Sequence, residues 1–137
     1  MRAIEVLVTL GVSPNTPNNY GDTPVYIAAQ EGHPHVIRAL AGLGARVNVP
    51  TSTGFTPLLI ATQEGHLAAV RALVDLGADL HFPASSGATP VNIAAQNGHG
   101  DVIRLLVEQG ADVNTPTTDG STPVFSAAFG NHADAIR

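Results

Sequence analysis

Four histidines, His33, His66, His99 and His132, stand at equal intervals of 33 residues. Imidazole is a common zinc ligand and a ready general base near neutral pH, so such a row is the first place to look for chemistry. Zinc holds its ligand nitrogens at about 2.0–2.1 Å, so the row could be a metal site only if the fold brought the rings to one point. His35 and His81 are isolated, and no motif places an acid or nucleophile beside either. The carboxylates Asp75, Asp79, Asp101, Glu108 and Asp112 are scattered, with no recurring acidic pair, and read as solvated surface. Arg38, Arg71, Arg104 and Arg137 repeat in phase and form a basic row. The chain has no cysteine, which excludes a thiolate nucleophile, a disulfide and a Cys-ligated zinc. It also lacks a phosphate-cradling glycine motif, a metalloprotease histidine pair and a serine elbow. These residues predict no catalytic site and no cofactor.

Charge narrows the partners. Six Lys+Arg against eleven Asp+Glu leave a net charge of −5, and all six cations are arginine. A phosphate-neutralising surface for nucleic acid or anionic lipid is therefore not expected. No stretch approaches the roughly 18 uninterrupted apolar residues of a membrane span, and no Asn-x-Ser/Thr acceptor or apolar leader is present. The chain reads as intracellular, cytoplasmic or nuclear. With 137 residues and 44% apolar composition it can fill one core, so a single domain is expected, and its 14 glycines and 10 prolines must punctuate an ordered fold.

The elements that carry these side chains are set by the same interval. Thr-Pro recurs at 23, 56, 89 and 122, Gly at 11, 44, 77 and 110 and again at 21, 54, 87 and 120, and Pro at 17, 50, 83 and 116. Residues 23–55 and 56–88 are identical at about half their positions. A period of this size means one supersecondary unit stacked repeatedly, each burying its apolar face on its neighbours. The threonine of Thr23-Pro24 can cap a first helical turn, and proline presets φ at the first helical position. That helix ends at Gly32, Gly65 and Gly98, and in the last copy at Asn131, residue types that accept the left-handed conformation. A second helix follows, with Val36, Ile37, Leu40 and Leu43 on one face and Gly44 as its stop. Small residues at Ala28-Ala29, Ala61, Ala94-Ala95 and Ala127-Ala128 let helices of successive units approach to about 8–10 Å. Histidines on successive layers would lie that far apart, which excludes one shared zinc and leaves each to bond backbone in its own loop between the two helices. Residues 45–55, rich in Pro, Thr, Ser, Asn and Gly, predict a projecting turn.

The chain resembles an array of ankyrin repeats. The resemblance rests on the 33-residue period, the Thr-Pro openings, the Gly-His pairs at Gly32-His33, Gly65-His66 and Gly98-His99, and Gly110-Ala111-Asp112-Val113-Asn114 at the base of a finger. It implies an all-α solenoid of stacked helix-turn-helix units with projecting β-hairpin-like fingers. On that reading residues 1–137 form one domain, with a partial repeat at 1–17, repeats at 18–50, 51–83 and 84–116, and a partial repeat at 117–137. The family's histidine after Thr-Pro-Leu is replaced by Tyr26, Leu59, Asn92 and Phe125, so its usual bonds between finger and helix are not expected and something else must tie the turns. The resemblance also makes Asn48 and Asn114 finger asparagines, of the kind that can be hydroxylated, with a turn-stabilising amide as the plainer role. Residues 3–11 align with a second helix, so the chain opens without the first helix of that unit, and residues 133–137 begin a last second helix. Either a longer array surrounds this segment, or its ends associate with each other.

The resemblance implies a protein or peptide partner held by the finger tips and the concave face of the first helices. Carried onto this sequence, those positions are Asn19, Tyr20, Asp22, Gln30 and Glu31 in the first unit and Ser52, Thr53, Phe55, Gln63 and Glu64 in the second. The third offers Ser85, Ser86, Ala88, Gln96 and Asn97, and the last Thr118, Asp119, Ser121 and Phe129. Tyr20, Phe55 and Phe129 stand there as the expected anchors, since interface energy concentrates in a few aromatic or arginine side chains. Phe82 lies near them at a finger base.

Overall fold

The structure is a computed structural model and describes residues 2–129. Eight helices run through them: α1 (Arg2–Thr9), α2 (Pro24–Gln30), α3 (Pro34–Gly42), α4 (Pro57–Glu64), α5 (Leu67–Asp75), α6 (Pro90–Gln96), α7 (Gly100–Glu108) and α8 (Pro123–Phe129). Thr23, Thr56 and Thr89 are extended, and each Oγ1 accepts from the N–H three residues on, at 3.2, 3.2 and 3.4 Å. The proline that follows needs no donor, because the first N–H groups of a helix have no intrahelical acceptor.

The stops are as local as the starts. Beyond α2, Gly32 takes φ +73°, its N–H reaches Ala29 O at 3.2 Å, and the N–H of His33 reaches Ala28 O at 2.8 Å. Two such reversed bonds close the carbonyls that a helix end leaves open. The pattern returns after α3, where Gly44 bonds Ala41 O and Ala45 bonds Leu40 O. Asn131, His132, Arg137 and the expected last helix at 133–137 lie outside the described residues.

Helices of seven to nine residues do not persist alone in water, so their stability comes from stacking. The first helices α2, α4, α6 and α8 pack in series as one layer, and α3, α5 and α7 pack in series as a second. Between the layers lies one core, with Val25, Ile37, Leu40, Leu58, Val70, Leu73, Val91, Val102 and Leu106 buried and Ile4 of α1 packed at its edge. Ala28, Ala29, Ala61, Ala94, Ala95 and Ala127 are buried at the helix contacts, whereas Ala128 is exposed. A smaller cluster of Leu59, Ala84, Ala88 and Ile93 sits under the fingers, with Phe55 and Phe82 against it. Thr62, in the register of Ala29 and Ala95, is fully buried with its hydroxyl unpartnered. A buried group in that state costs about 1–3 kcal/mol.

Each finger tip is a closed turn. Asn18 N–H bonds Asp22 O, Thr51 bonds Phe55 O, Ala84 bonds Ala88 O, and Thr117 bonds Ser121 O. No strand forms among the described residues, so the fingers are single hydrogen-bonded reversals, with glycines at Gly21, Gly54, Gly87 and Gly120 in the left-handed region.

The glycine that ends a first helix also seats the next unit. A Cβ on Gly65 would lie 2.6 Å from Cε1 of His99, whereas one on Gly77 would meet nothing within 4 Å, although both residues hold positive φ. Gly77→Ala is expected to cost only the left-handed strain of about 1–2 kcal/mol. Gly65→Ala should cost about 2 kcal/mol more, read as a lower urea midpoint, because the His99 ring must leave its seat. Equal losses at the two positions would show that the ring yields freely.

Candidate binding face

The three described histidines of the row do not converge. His66 Nε2 lies 3.0 Å from the carbonyl oxygen of Gln30, and His99 Nε2 lies 3.0 Å from that of Gln63. Each ring thus donates to the end of the preceding unit's first helix, whose last carbonyls lack intrahelical donors. The expected bond within the histidine's own loop is replaced by a bond across units, because the preceding glycine leaves room for the ring. Among the described residues no group of three or more His, Asp or Glu could hold a metal ion.

The asparagines tie fingers in the same way. Asn48 Nδ2 donates to Gly77 O at 3.4 Å and its Oδ1 accepts from Asp79 N–H at 2.9 Å. Asn15 makes the same pair with Gly44 O at 3.2 Å and Arg46 N–H at 2.8 Å. The Asn48 amide therefore stabilises the junction of two units rather than its own turn. His81 stands in this register without such a bridge, its own N–H taking Asp79 Oδ1. The finger tips are joined as well, with Ser52 Oγ donating to Tyr20 O at 2.8 Å and Thr118 donating to Ser86 O through both N–H and hydroxyl.

Where the family's histidine is replaced, one substitute takes over its task. Asn92 Nδ2 donates to Thr115 O at 3.0 Å, while its Oδ1 accepts from Thr89 N–H and from the Thr89 hydroxyl. Finger and helix are tied there by an amide. Leu59 instead fills the small cluster, and Tyr26 is buried. Phe125, the fourth of the set, is 58% exposed.

On this frame the expected partner-contacting residues separate into groups. Asn19, Tyr20, Glu31, Ser52, Thr53, Glu64, Ser85, Ser86, Gln96, Asn97, Thr118, Asp119 and Phe129 are exposed. Asp22, Gln30, Gln63 and Ser121 are half-buried, and Asn97 turns its amide back to Ile93 O at 2.9 Å. Tyr20 and Phe129 stand 74% and 86% exposed. Phe55 is half-buried because its ring packs on both clusters, and Ala88, placed at the surface by register, is buried beneath its own finger.

Phe125 is the residue that register reasoning passed over. Its ring stacks on Phe129 with centroids 6.4 Å apart and planes 18° from parallel. Together they line a groove of about 310 Å³ between the last two fingers, with Ser86, Asn92, Gln96 and Asp119 on its walls. The legible signal was two phenylalanines four residues apart on one short helix. A second groove, about 460 Å³, opens beside α1 and is lined by Ile4, Pro17, Pro24, Ile27, Val36 and Leu40. Ile27 is 38% exposed there, while Ile60, one period on, is 4% exposed under the preceding unit.

The described members of the basic row, Arg38, Arg71 and Arg104, lie on the second helices. Arg38 pairs with Asp75 of the next unit at 3.2 Å, and with both side chains about half exposed the pair adds little stability.

The match to known proteins agrees with this geometry. The family model described as "Ankyrin repeats (3 copies)" matches residues 2–84 and again 76–137. The chain belongs to the ankyrin repeat family, whose repeats are generally protein–protein interaction modules. A search of curated proteins gave no match. No helix of the described residues is long and apolar enough to cross a membrane.

The face carries one titrating group with a structural consequence. Burial raises the Tyr26 phenol above its ordinary value of 10.0, and the negative charges of Asp22 and Glu64 raise it further. The folded state therefore holds this proton more tightly than the unfolded chain, which contributes stability below about pH 10 that is lost as pH rises through the folded pKa. Tyr26→Phe is expected to flatten the alkaline limb of a stability–pH curve from about pH 10 upward. An unchanged limb would place the alkaline transition elsewhere.

Proposed function

We propose that this chain is a non-catalytic protein-binding module that holds an extended peptide or loop of a partner protein across its finger tips and first-helix face. One observation carries the reading most: two stacked phenylalanine rings stand exposed over an open groove, on a helix whose other face is packed. Exposed aromatic pairs at a concave surface are an unfavourable arrangement in water unless something covers them. Around them the hydroxyls and amide of Ser85, Ser86 and Gln96 offer adaptable hydrogen bonds. The first tip is joined to the second and the third to the fourth before any partner arrives, which lowers the ordering cost of binding. On this reading residues 1–137 act as one domain, with units at 18–50, 51–83 and 84–116 and partial units at 1–17 and 117–137. It works inside the cell, in cytoplasm or nucleus, by itself or as the targeting segment of a larger enzyme or effector.

The test is to pan the purified chain against a random peptide display library beside a Tyr20→Ala, Phe55→Ala, Phe129→Ala variant of matched helicity. Motifs enriched by the parent should bind the variant at least tenfold more weakly, since aromatic anchors commonly cost about 2 kcal/mol or more when truncated. Enrichment indifferent to the three rings would move the binding site off this face.

A second reading, end-to-end association of two copies, is favoured by the apolar groove beside α1. Sedimentation should then show self-association that rises with concentration and is lost in Ile27→Lys. A parent that stays monomeric across the micromolar range would remove this reading.

A further inference from the structure

The charges of this molecule are sorted by face. Across the finger tips and first helices, residues 18–31, 51–64, 84–97 and 117–129, the only ionised side chains are Asp22, Glu31, Glu64 and Asp119. Every described arginine, Arg2, Arg38, Arg46, Arg71 and Arg104, lies on α1, on a second helix or at a finger base. A partner segment on the concave face thus meets negative charge alone, and a ligand bearing carboxylate or phosphate would find no cation to pair with.

Within that field the groove between the last two fingers has a particular chemistry. One wall is the Phe125–Phe129 stack, whose ring faces carry negative quadrupole and are open to solvent. The finger that bears Asp119 lines the same groove, together with Ser86 of the finger before it. Asp119 Oδ1 accepts from the Ser121 N–H at 3.0 Å and from the Thr117 hydroxyl, which fixes the carboxylate in one orientation. The same bonds, Thr117's foremost, hold its pKa below the ordinary carboxylate value, so it is ionised throughout the neutral range.

Resting on the peptide-binding reading above, we propose that this groove is a subsite for an arginine side chain of the partner, its guanidinium lying on the phenylalanine stack and pairing with Asp119. A planar, delocalised and weakly hydrated cation can satisfy an aromatic face and a carboxylate together. A lysine ammonium is a compact, strongly hydrated charge that gains less from the rings. An aliphatic side chain would cover the rings but strip water from the Asp119 carboxylate without replacing it.

The decisive measurement uses small probes on the whole chain. N-acetyl-arginine amide, N-acetyl-lysine amide and N-acetyl-norleucine amide are titrated to tens of millimolar while the ring resonances of Phe125 and Phe129 are followed by NMR. With four phenylalanines and two tyrosines in the chain, those signals are separable. The arginine probe should shift both rings saturably and bind at least threefold more tightly than the lysine probe. Asp119→Asn keeps an acceptor for Ser121 and removes the charge, so it should weaken the arginine probe at least threefold while the norleucine probe binds no more weakly than to the parent. Phe129→Ala, at a position that core packing does not use, should abolish the shift at Phe125. Equal shifts from norleucine and arginine, or an Asp119→Asn variant that binds arginine as the parent does, would overturn the subsite. Panned peptides that depend on the three aromatic anchors yet contain no arginine would also overturn it while leaving the binding face intact. Saturable arginine binding from a chain that enriches no peptide would sustain the subsite and remove the peptide-binding reading instead.

Discussion

A helix of seven to nine residues has too few internal hydrogen bonds to offset the cost of nucleating it, and this chain is built from little else. Each helix must therefore be held by packing, on the second helix of its own unit and on the units before and after. That constraint explains why the polar ties run across units. The histidine of one unit closes a carbonyl at the end of the previous first helix, and finger asparagines and hydroxyls reach a neighbouring finger. It also explains why alanine occupies the middle of the first helices, where a larger side chain would hold successive layers apart. The terminal glycine of that helix serves both demands at once. Its positive φ ends the helix, and its missing Cβ leaves the space that the next histidine fills.

The architecture was legible because period, cap and stop are local features that recur in phase. Thr-Pro reports a helix start wherever it stands, and a glycine 33 residues after another glycine reports the same turn again. What register could not show is where a repeated position meets a different neighbour. Phe55 and Ala88 occupy equivalent places, yet one half-buries a ring on two clusters and the other is covered entirely. Phe125 shares its register with Leu59 and Asn92, both fully enclosed, and it is exposed. Burial depends on the next unit's side chains, and a position read one unit at a time does not contain them. The histidine row departs in the same way: His66 and His99, expected to bond backbone in their own loops, find their acceptors one unit back.

Departures from strict repetition mark where the stack is differently joined. Between the last two fingers His81 replaces the asparagine that bridges units at Asn15 and Asn48, and the junction loses two side-chain hydrogen bonds. At the same junction Asn92 ties the following finger through Thr115 O and closes the cap on Thr89. One tie is lost at the finger base and another is gained at the helix start. In an array whose stability is close to a sum of units and nearest-neighbour terms, such exchanges are felt locally and leave the remaining interfaces alone.

That locality bears on recognition. The groups that hold the stack are backbone carbonyls, buried alanines, loop histidines and finger-base asparagines, while the exposed side chains at the tips carry few structural duties. Tyr20, Ser85, Gln96 and Phe129 can change without disturbing the ties, as long as the backbone atoms beneath them stay in place. Gln30 and Gln63 show the division within single residues, since each gives its carbonyl to the next unit's histidine while its side chain remains partly exposed. Ser52 and Thr118, whose hydroxyls tie neighbouring tips, break the rule, and so do Phe55 and Asp119. Phe55 spends most of its ring on the core, so only part of it is free to meet a partner. Asp119 both fixes its own turn and supplies charge to the groove, so the rigidity of the finger and the electrostatics of the site are set by one carboxylate.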